Sequence, residues 1–126
     1  MNPDTLLLRQ VHPTFVQDGQ ITSQVFRPTP KDENLLSAYN GDLITAENAW
    51  KHFTSEPANL SVGVMAISKG ECDTQQLPVI EDKIPFVEHV SIDFAGKTKN
   101  GIEKIAKLLK RVAQQRDWLF RAEAGK

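Results

Sequence analysis

Apolar and polar residues alternate with a period of two in several short stretches of the chain, which indicates half-buried β-strands. The alternation is clearest in residues 86–94, whereas the nearly continuous apolar run at 59–67 predicts a strand buried on both faces. Gly63 within that run predicts that a neighbouring segment packs closely against it. The predicted strands are 6–11, 21–26, 35–39, 59–67, 86–94 and 117–123.

Apolar residues spaced three and four positions apart predict two helices. The shorter helix covers residues 46–54, and Thr45 is a suitable N-cap. The longer helix covers residues 101–116, with Asn100 as its N-cap and Glu103 in the third helical position, where a glutamate completes a capping box.

The order of these elements predicts the fold class. Strands and helices mix without regular βαβ alternation, which favours an α+β fold. Residues 68–85 are predicted to form a long surface loop with a short extended piece at 79–80. We therefore expect a single domain, residues 1–126, in which one long C-terminal helix and one short helix pack on a twisted, mostly antiparallel sheet.

Composition narrows the class of protein. A formal net charge of -1 over 126 residues argues against a general nucleic-acid binder but leaves room for a local basic patch. The single cysteine, Cys72, excludes an internal disulfide and fits a reducing compartment. No stretch has the pattern of a signal peptide or the length of a membrane span. We expect a cytoplasmic protein that does not insert into membranes.

Charged residues are segregated in the second half of the chain. The predicted long helix has a basic face that would attract phosphate groups, although such a face also serves solubility alone. Its candidate nucleic-acid contacts are Lys104, Lys107, Lys110 and Arg111. The acidic segment before it offers candidate contacts with a partner protein, which are Glu71, Asp73, Glu81 and Asp82.

Catalytic and metal-binding patterns are weak. His89, Ser91 and Asp93 share one face of a predicted strand, but residues two apart lie about 6.5–7 Å from each other, beyond hydrogen-bond reach. The three histidines and the cysteine lack the spacing of metal ligands. The sequence therefore predicts no catalytic residue, no metal and no cofactor.

Arg9 is the most unusual residue of the first strand, because it shares a strand face with Leu7 and Val11. A guanidinium in such surroundings needs a partner, either a carboxylate within the protein or an anionic ligand. His12 follows at the end of the strand. Other polar side chains that could converge there are Thr22, Ser23, Gln24, Ser37 and Tyr39.

Two motifs resemble a family of small uncharacterised bacterial proteins. The first is L-x-R-x-V-H-P at residues 7–13, and the second is S-x-x-F-x-P-T at residues 23–29. The resemblance extends over most of the chain. It implies a protein encoded in mobile or defence-associated regions, with a partner protein encoded nearby, as a toxin has its neutraliser.

The chain is also similar to the layout of ADP-ribosyltransferase-like domains. In those domains a first-strand residue holds the NAD diphosphate and a serine strand supports the nicotinamide ribose. By position, the matching residues are Arg9, His12, Ser23 and Tyr39, whereas no Glu-x-Glu motif occurs in a late strand. A non-enzymatic accessory or neutraliser protein is thus the leading prediction. The alternatives are a nucleotide-binding transferase-like domain and a nucleic-acid contact through helix 101–116.

Overall fold

A six-stranded antiparallel sheet organises the chain in the computed structural model, which describes residues 1–122. The strands are β1 (Leu6–Gln10), β2 (Val16–Gln17), β3 (Gln20–Ile21), β4 (Leu35–Asn40), β5 (Gly63–Ser68), β6 (Val79–Ile80), β7 (His89–Asp93) and β8 (Phe120–Arg121). The helices are α1 (Ala46–Thr54), α2 (Lys69–Thr74) and α3 (Lys99–Arg116), and short 3-10 helices form at Pro13–Phe15, Ser23–Phe26 and Pro30–Asp32.

The sheet has the strand order β6-β7-β4-β1-β5-β8, and β2 pairs with β3 in a separate hairpin. Every pair in the large sheet is antiparallel. The predicted α+β class, with a long C-terminal helix and a short helix beside the sheet, is therefore confirmed. In the described part of the chain, no helix combines the length and the apolar character needed to cross a membrane.

The two faces of the sheet bury different clusters. On one face, Leu7 and Ile92 belong to a large core that also contains Leu109 of α3. On the other face, Leu8 and Ala66 pack with Ala49 of α1 in a smaller cluster. Because side chains alternate along each strand, neighbouring residues such as Leu7 and Leu8 serve the two different clusters.

Helix caps explain where the two longer helices begin. The predicted bounds of α1 are confirmed, and the Thr45 hydroxyl accepts a hydrogen bond from the Asn48 amide at 3.2 Å. The predicted start of α3 was wrong, because Thr98 caps this helix by accepting from the Gly101 amide at 3.0 Å. Glu103 therefore lies beyond the third helical position.

The predicted strand at 21–26 was wrong over most of its length. Strand β3 ends at Ile21, and a 3-10 helix covers Ser23–Phe26. Val25 and Phe26 are consecutive, and both are completely buried. A strand would point them to opposite faces, whereas a helical turn carries both into the core beside α3.

The predicted loop at 68–85 was also wrong in its first half. The Ser68 side chain accepts from the Glu71 amide while the Glu71 carboxylate accepts from the Ser68 amide, so a capping box starts α2. This S-x-x-E pattern is visible in the sequence. The extended piece predicted at 79–80 is confirmed as β6.

Four of the remaining strands, β1, β5, β7 and β8, are shorter than predicted, whereas β4 extends one residue further, to Asn40. Strand β5 begins at Gly63 rather than at residue 59, and β7 begins at His89 rather than at 86. Strand β8 covers only Phe120–Arg121, and residue 123 of the predicted strand lies outside the described residues. The close packing predicted at Gly63 is confirmed, because a Cβ atom there would lie 2.5 Å from the Phe120 carbonyl oxygen.

Candidate functional site

An opening in the sheet between β1 and β4 positions the candidate site. The two strands pair directly only at Leu7 with Asn40 and at Leu8 with Tyr39. If the register continued, Gln10 would lie opposite Ser37, but no such pair forms. Backbone polar groups that would bond across this part of the two strands therefore need other partners.

The side chain of Arg9 fills this opening. Its Nη1 donates to the Ser37 carbonyl oxygen at 2.7 Å, and its Nε donates to the Val25 carbonyl oxygen at 2.8 Å. Burial lowers the pKa of Arg9 to about 10, so the guanidinium keeps its charge at neutral pH. Within residues 1–122, no carboxylate lies within ion-pair distance of Arg9, so the internal ion pair considered from the sequence is not found among these residues.

A pocket of about 800 Å³ lies at this opening, and all three histidines of the chain line it. They come from distant parts of the sequence: His12 follows β1, His52 lies on α1 and His89 begins β7. Arg9 and Tyr39 also line the pocket. Its volume falls within the range that accommodates small organic ligands.

Aromatic rings form one wall of the pocket. Phe86 stacks on Tyr39 with ring centroids 4.9 Å apart, and His52 packs edge-on against Phe86 at 4.7 Å. The Tyr39 hydroxyl lies 2.8 Å from His52 Nδ1. Burial, reinforced by the negative charge of Glu88, raises the pKa of Tyr39 to about 12. The phenol therefore remains protonated at neutral pH and can donate to His52.

His89 connects two strands and the loop before β7. Its Nδ1 lies 2.8 Å from the Asp82 carbonyl oxygen, and its Nε2 lies 3.1 Å from the Ser37 hydroxyl oxygen. His89 as a whole is 8% exposed, and its ring packs edge-on against Phe86 with ring centroids 5.3 Å apart. Its orientation is thus held by two hydrogen bonds and by aromatic packing.

His12 lines the pocket and forms a local hydrogen bond through one of its ring nitrogens. Its Nδ1 accepts a hydrogen bond from the Thr14 amide at 3.1 Å and lies 2.8 Å from the Thr14 hydroxyl. Because Nδ1 is an acceptor, the neutral ring carries its proton on Nε2. Within residues 1–122, Nε2 has no hydrogen-bond partner, so its N–H is the ring group of His12 that is free to bind a ligand.

Of the residues predicted to bind a ligand, the structure brings three together and leaves one apart. Arg9, His12 and Tyr39 line the pocket, whereas Ser23 lies on a 3-10 helix and does not line it. His52 and Phe86 were missed, because neither belongs to a recognisable motif. Within residues 1–122, no three histidine, cysteine or acidic side chains converge in a metal-binding group.

The acidic residues predicted to bind a partner occupy two different settings. Glu71 pairs with Arg116 at 3.0 Å, and Asp73 pairs with Lys69 at 3.0 Å, so both are engaged inside the protein. Burial alone would raise the pKa of Glu71, but hydrogen bonds from Arg116 and from the Ser68 amide outweigh burial and lower it.

Glu81 and Asp82 follow the edge strand β6. Within the described residues, neither side chain forms an ion pair. Their prediction as partner contacts stays a prediction.

The basic residues predicted to contact nucleic acid lie on α3, away from its buried stripe. Lys104, Lys107 and Arg111 are exposed, and Lys110 is half-buried. Arg116, at the end of the same helix, instead bonds Glu71 and the Ala66 carbonyl oxygen. The basic face exists as predicted, and its binding to nucleic acid stays a prediction.

Comparisons of this chain with protein-family models, with curated proteins and with solved structures found no significant match.

Proposed function

We propose that the pocket binds a small organic ligand that carries an anionic group and a flat apolar portion. The observation that carries this proposal is Arg9. Arg9 lines the pocket, and its hydrogen bonds within residues 1–122 engage only Nη1 and Nε, which leaves Nη2 free to donate to a ligand. Guanidinium groups bind carboxylates and phosphates strongly in such partly desolvated places.

The aromatic wall of the pocket is the observation that supports a flat apolar portion in the ligand. Phe86, Tyr39 and His52 contact one another and line the pocket, and because Tyr39 is buried, half-buried Phe86 and exposed His52 supply the accessible ring surface. Planar groups stack favourably on such rings. A nucleotide and an aromatic carboxylate both combine a planar ring with an anion, so both belong to the class of ligand that we propose.

Thermal and chemical unfolding with added ligand tests this proposal. We expect an NAD, nucleotide or aromatic carboxylate probe to raise the free energy of unfolding, by about 2.7 kcal/mol at one hundred times its dissociation constant. Replacing Arg9 by Gln should weaken binding at least about tenfold, because a hydrogen bond to a charged group contributes about 1.5–3 kcal/mol. Isothermal titration calorimetry measures this loss.

The matched control is Arg111→Gln, which removes the same charge from the exposed face of α3. It should bind the probes as the wild type does. If none of the anionic probes stabilises the protein, or if Arg9→Gln binds them unchanged, the proposal is wrong.

A partner-binding role is a second proposal, for a cytosolic accessory or neutraliser protein. The observation that favours it is an exposed apolar segment at the sheet edge, where Ile84 and Val87 are 78% and 61% exposed. Glu81 and Asp82 lie beside it in the sequence.

We expect charge reversal at both acids, Glu81 and Asp82, to abolish co-purification of a partner from the native host, while charge reversal at Glu47 on α1 leaves the co-purification intact. Recovery of the same partner with the double reversal would contradict the proposal.

A further inference from the structure

The hydrogen bonds of His89 determine which of its nitrogens carries the proton. The Asp82 carbonyl oxygen can only accept, so the Nδ1 atom at 2.8 Å must donate to it. In the neutral ring Nε2 is then unprotonated and accepts from the Ser37 hydroxyl at 3.1 Å. The resulting chain runs from the serine hydroxyl through the imidazole to a backbone carbonyl. This is the order of groups in which a base activates a serine and a third group orients the base.

Ser37 is placed to react with a molecule in the pocket. It is exposed and lines the pocket, whereas the ring of His89 behind it is buried. Ser91 lies directly opposite Ser37 in the β4–β7 register, on the same face of the sheet, but it is only 3% exposed. Of these two paired serines, only Ser37 has the histidine partner and access to the pocket.

We propose that Ser37 and His89 are a nucleophile and general base that hydrolyse a small carboxylic ester bearing an anionic group. The proposal rests on the proposed function for the place where the substrate binds. Arg9, which lines the same pocket and donates to the Ser37 carbonyl oxygen, would hold the anionic group beside the serine. The aromatic wall formed by Phe86 and Tyr39 would take the apolar part.

The reaction balances with water as the only co-reactant. The Ser37 oxygen attacks the ester carbonyl carbon while its proton moves to His89 Nε2. The bond from that carbon to the alcohol oxygen then breaks, and His89 returns the proton to the departing alcohol. Water attacks the acyl-serine in the same manner, which releases the carboxylic acid and restores the Ser37 hydroxyl. His89 Nδ1 keeps its bond to the Asp82 carbonyl oxygen throughout.

A covalent probe tests the pair without knowledge of the natural substrate. We expect phenylmethylsulfonyl fluoride to form one sulfonyl adduct on the full-length protein, as the serine oxygen displaces fluoride and the proton leaves with it. Intact mass spectrometry and peptide mapping should place the adduct on Ser37. The adduct should be absent from Ser37→Ala, and labelling of His89→Gln should be slower by at least about a hundredfold.

Ser91→Ala is the matched control, and it should label at the wild-type rate. Because Ser37 is exposed, Ser37→Ala should keep the wild-type fold, and thermal unfolding of the variant checks that it does. Loss of the adduct in this variant then reports loss of the nucleophile. An adduct at another residue, no adduct, or an unchanged rate in His89→Gln overturns the proposal. Because labelling needs no natural ligand, failure here is distinct from failure of the ligand-binding test with Arg9→Gln.

Discussion

Replacing Phe26 by alanine is expected to lower the free energy of unfolding by about 3–5 kcal/mol, because the change opens a large cavity in a close-packed core. Phe26 is completely buried at the end of the 3-10 helix Ser23–Phe26, and it belongs to the core beneath α3. Urea unfolding followed by the fluorescence of Trp50 and Trp118 measures this loss.

The control for this experiment is Leu108→Ala. Leu108 lies on α3, the helix that packs over Phe26, but it is 39% exposed. Its truncation to alanine should therefore lower the free energy of unfolding by less than about 1 kcal/mol. A comparable small loss for Phe26→Ala would show that the 3-10 helix does not carry this ring into the core.

Gly63→Ala is expected to lower the free energy of unfolding by about 1–3 kcal/mol through overpacking. A Cβ atom at this position would lie 2.5 Å from the Phe120 carbonyl oxygen and 2.9 Å from the Trp118 ring. Strand β8 pairs with β5 at this point, so it would have to move away. Chemical unfolding gives the loss, and a changed Trp118 emission in the folded state reports the displacement.

The same substitution in a helix provides the contrast. Gly101 lies in the first turn of α3, where alanine forms helix more readily than glycine. A Cβ atom added at Gly101 would lie 3.1 Å from the Thr98 hydroxyl oxygen. Gly101→Ala should therefore stay within about 1 kcal/mol of the wild type. Equal stability of the two variants would contradict the close approach of β8 to Gly63.

Local signals in the sequence predicted much of the fold. The bounds of α1 follow from one threonine cap and a clear apolar spacing, and the buried residues Ile105, Leu109 and Ala113 of α3 follow from its stripe. The signal at Gly63 was equally local, because a glycine inside an apolar strand indicates that another segment lies close by.

Errors arose where tertiary packing overrode the local pattern. Residues 21–26 alternate as a strand does, yet burying both Val25 and Phe26 on the same side requires a helical turn. Helix α2 was missed although its capping box was present, because Gly70 and the surrounding polar residues favoured a loop.

The candidate site could be predicted only in part, because strand order is a long-range property. Arg9 was singled out by its apolar neighbours on one strand, and this was a local signal. The partner of His89 was sought along its own strand at Ser91, whereas the structure pairs it diagonally across to Ser37 of β4. Only the register between β4 and β7, which the sequence does not reveal, brings those two side chains together.

The short pairing between β1 and β4 divides the large sheet into two blocks of three strands. Strands β6, β7 and β4 form one block, and β1, β5 and β8 form the other. Two directly opposed residue pairs and the hydrogen bond from the Gly41 amide to the Leu6 carbonyl oxygen join the blocks, and the Arg9 side chain bridges the seam beyond them. The two core clusters also cross this seam, because Leu7 packs in one cluster with Ile92 and Leu8 packs in the other with Tyr39. Side-chain packing on both faces of the sheet therefore holds the blocks together beside the pocket.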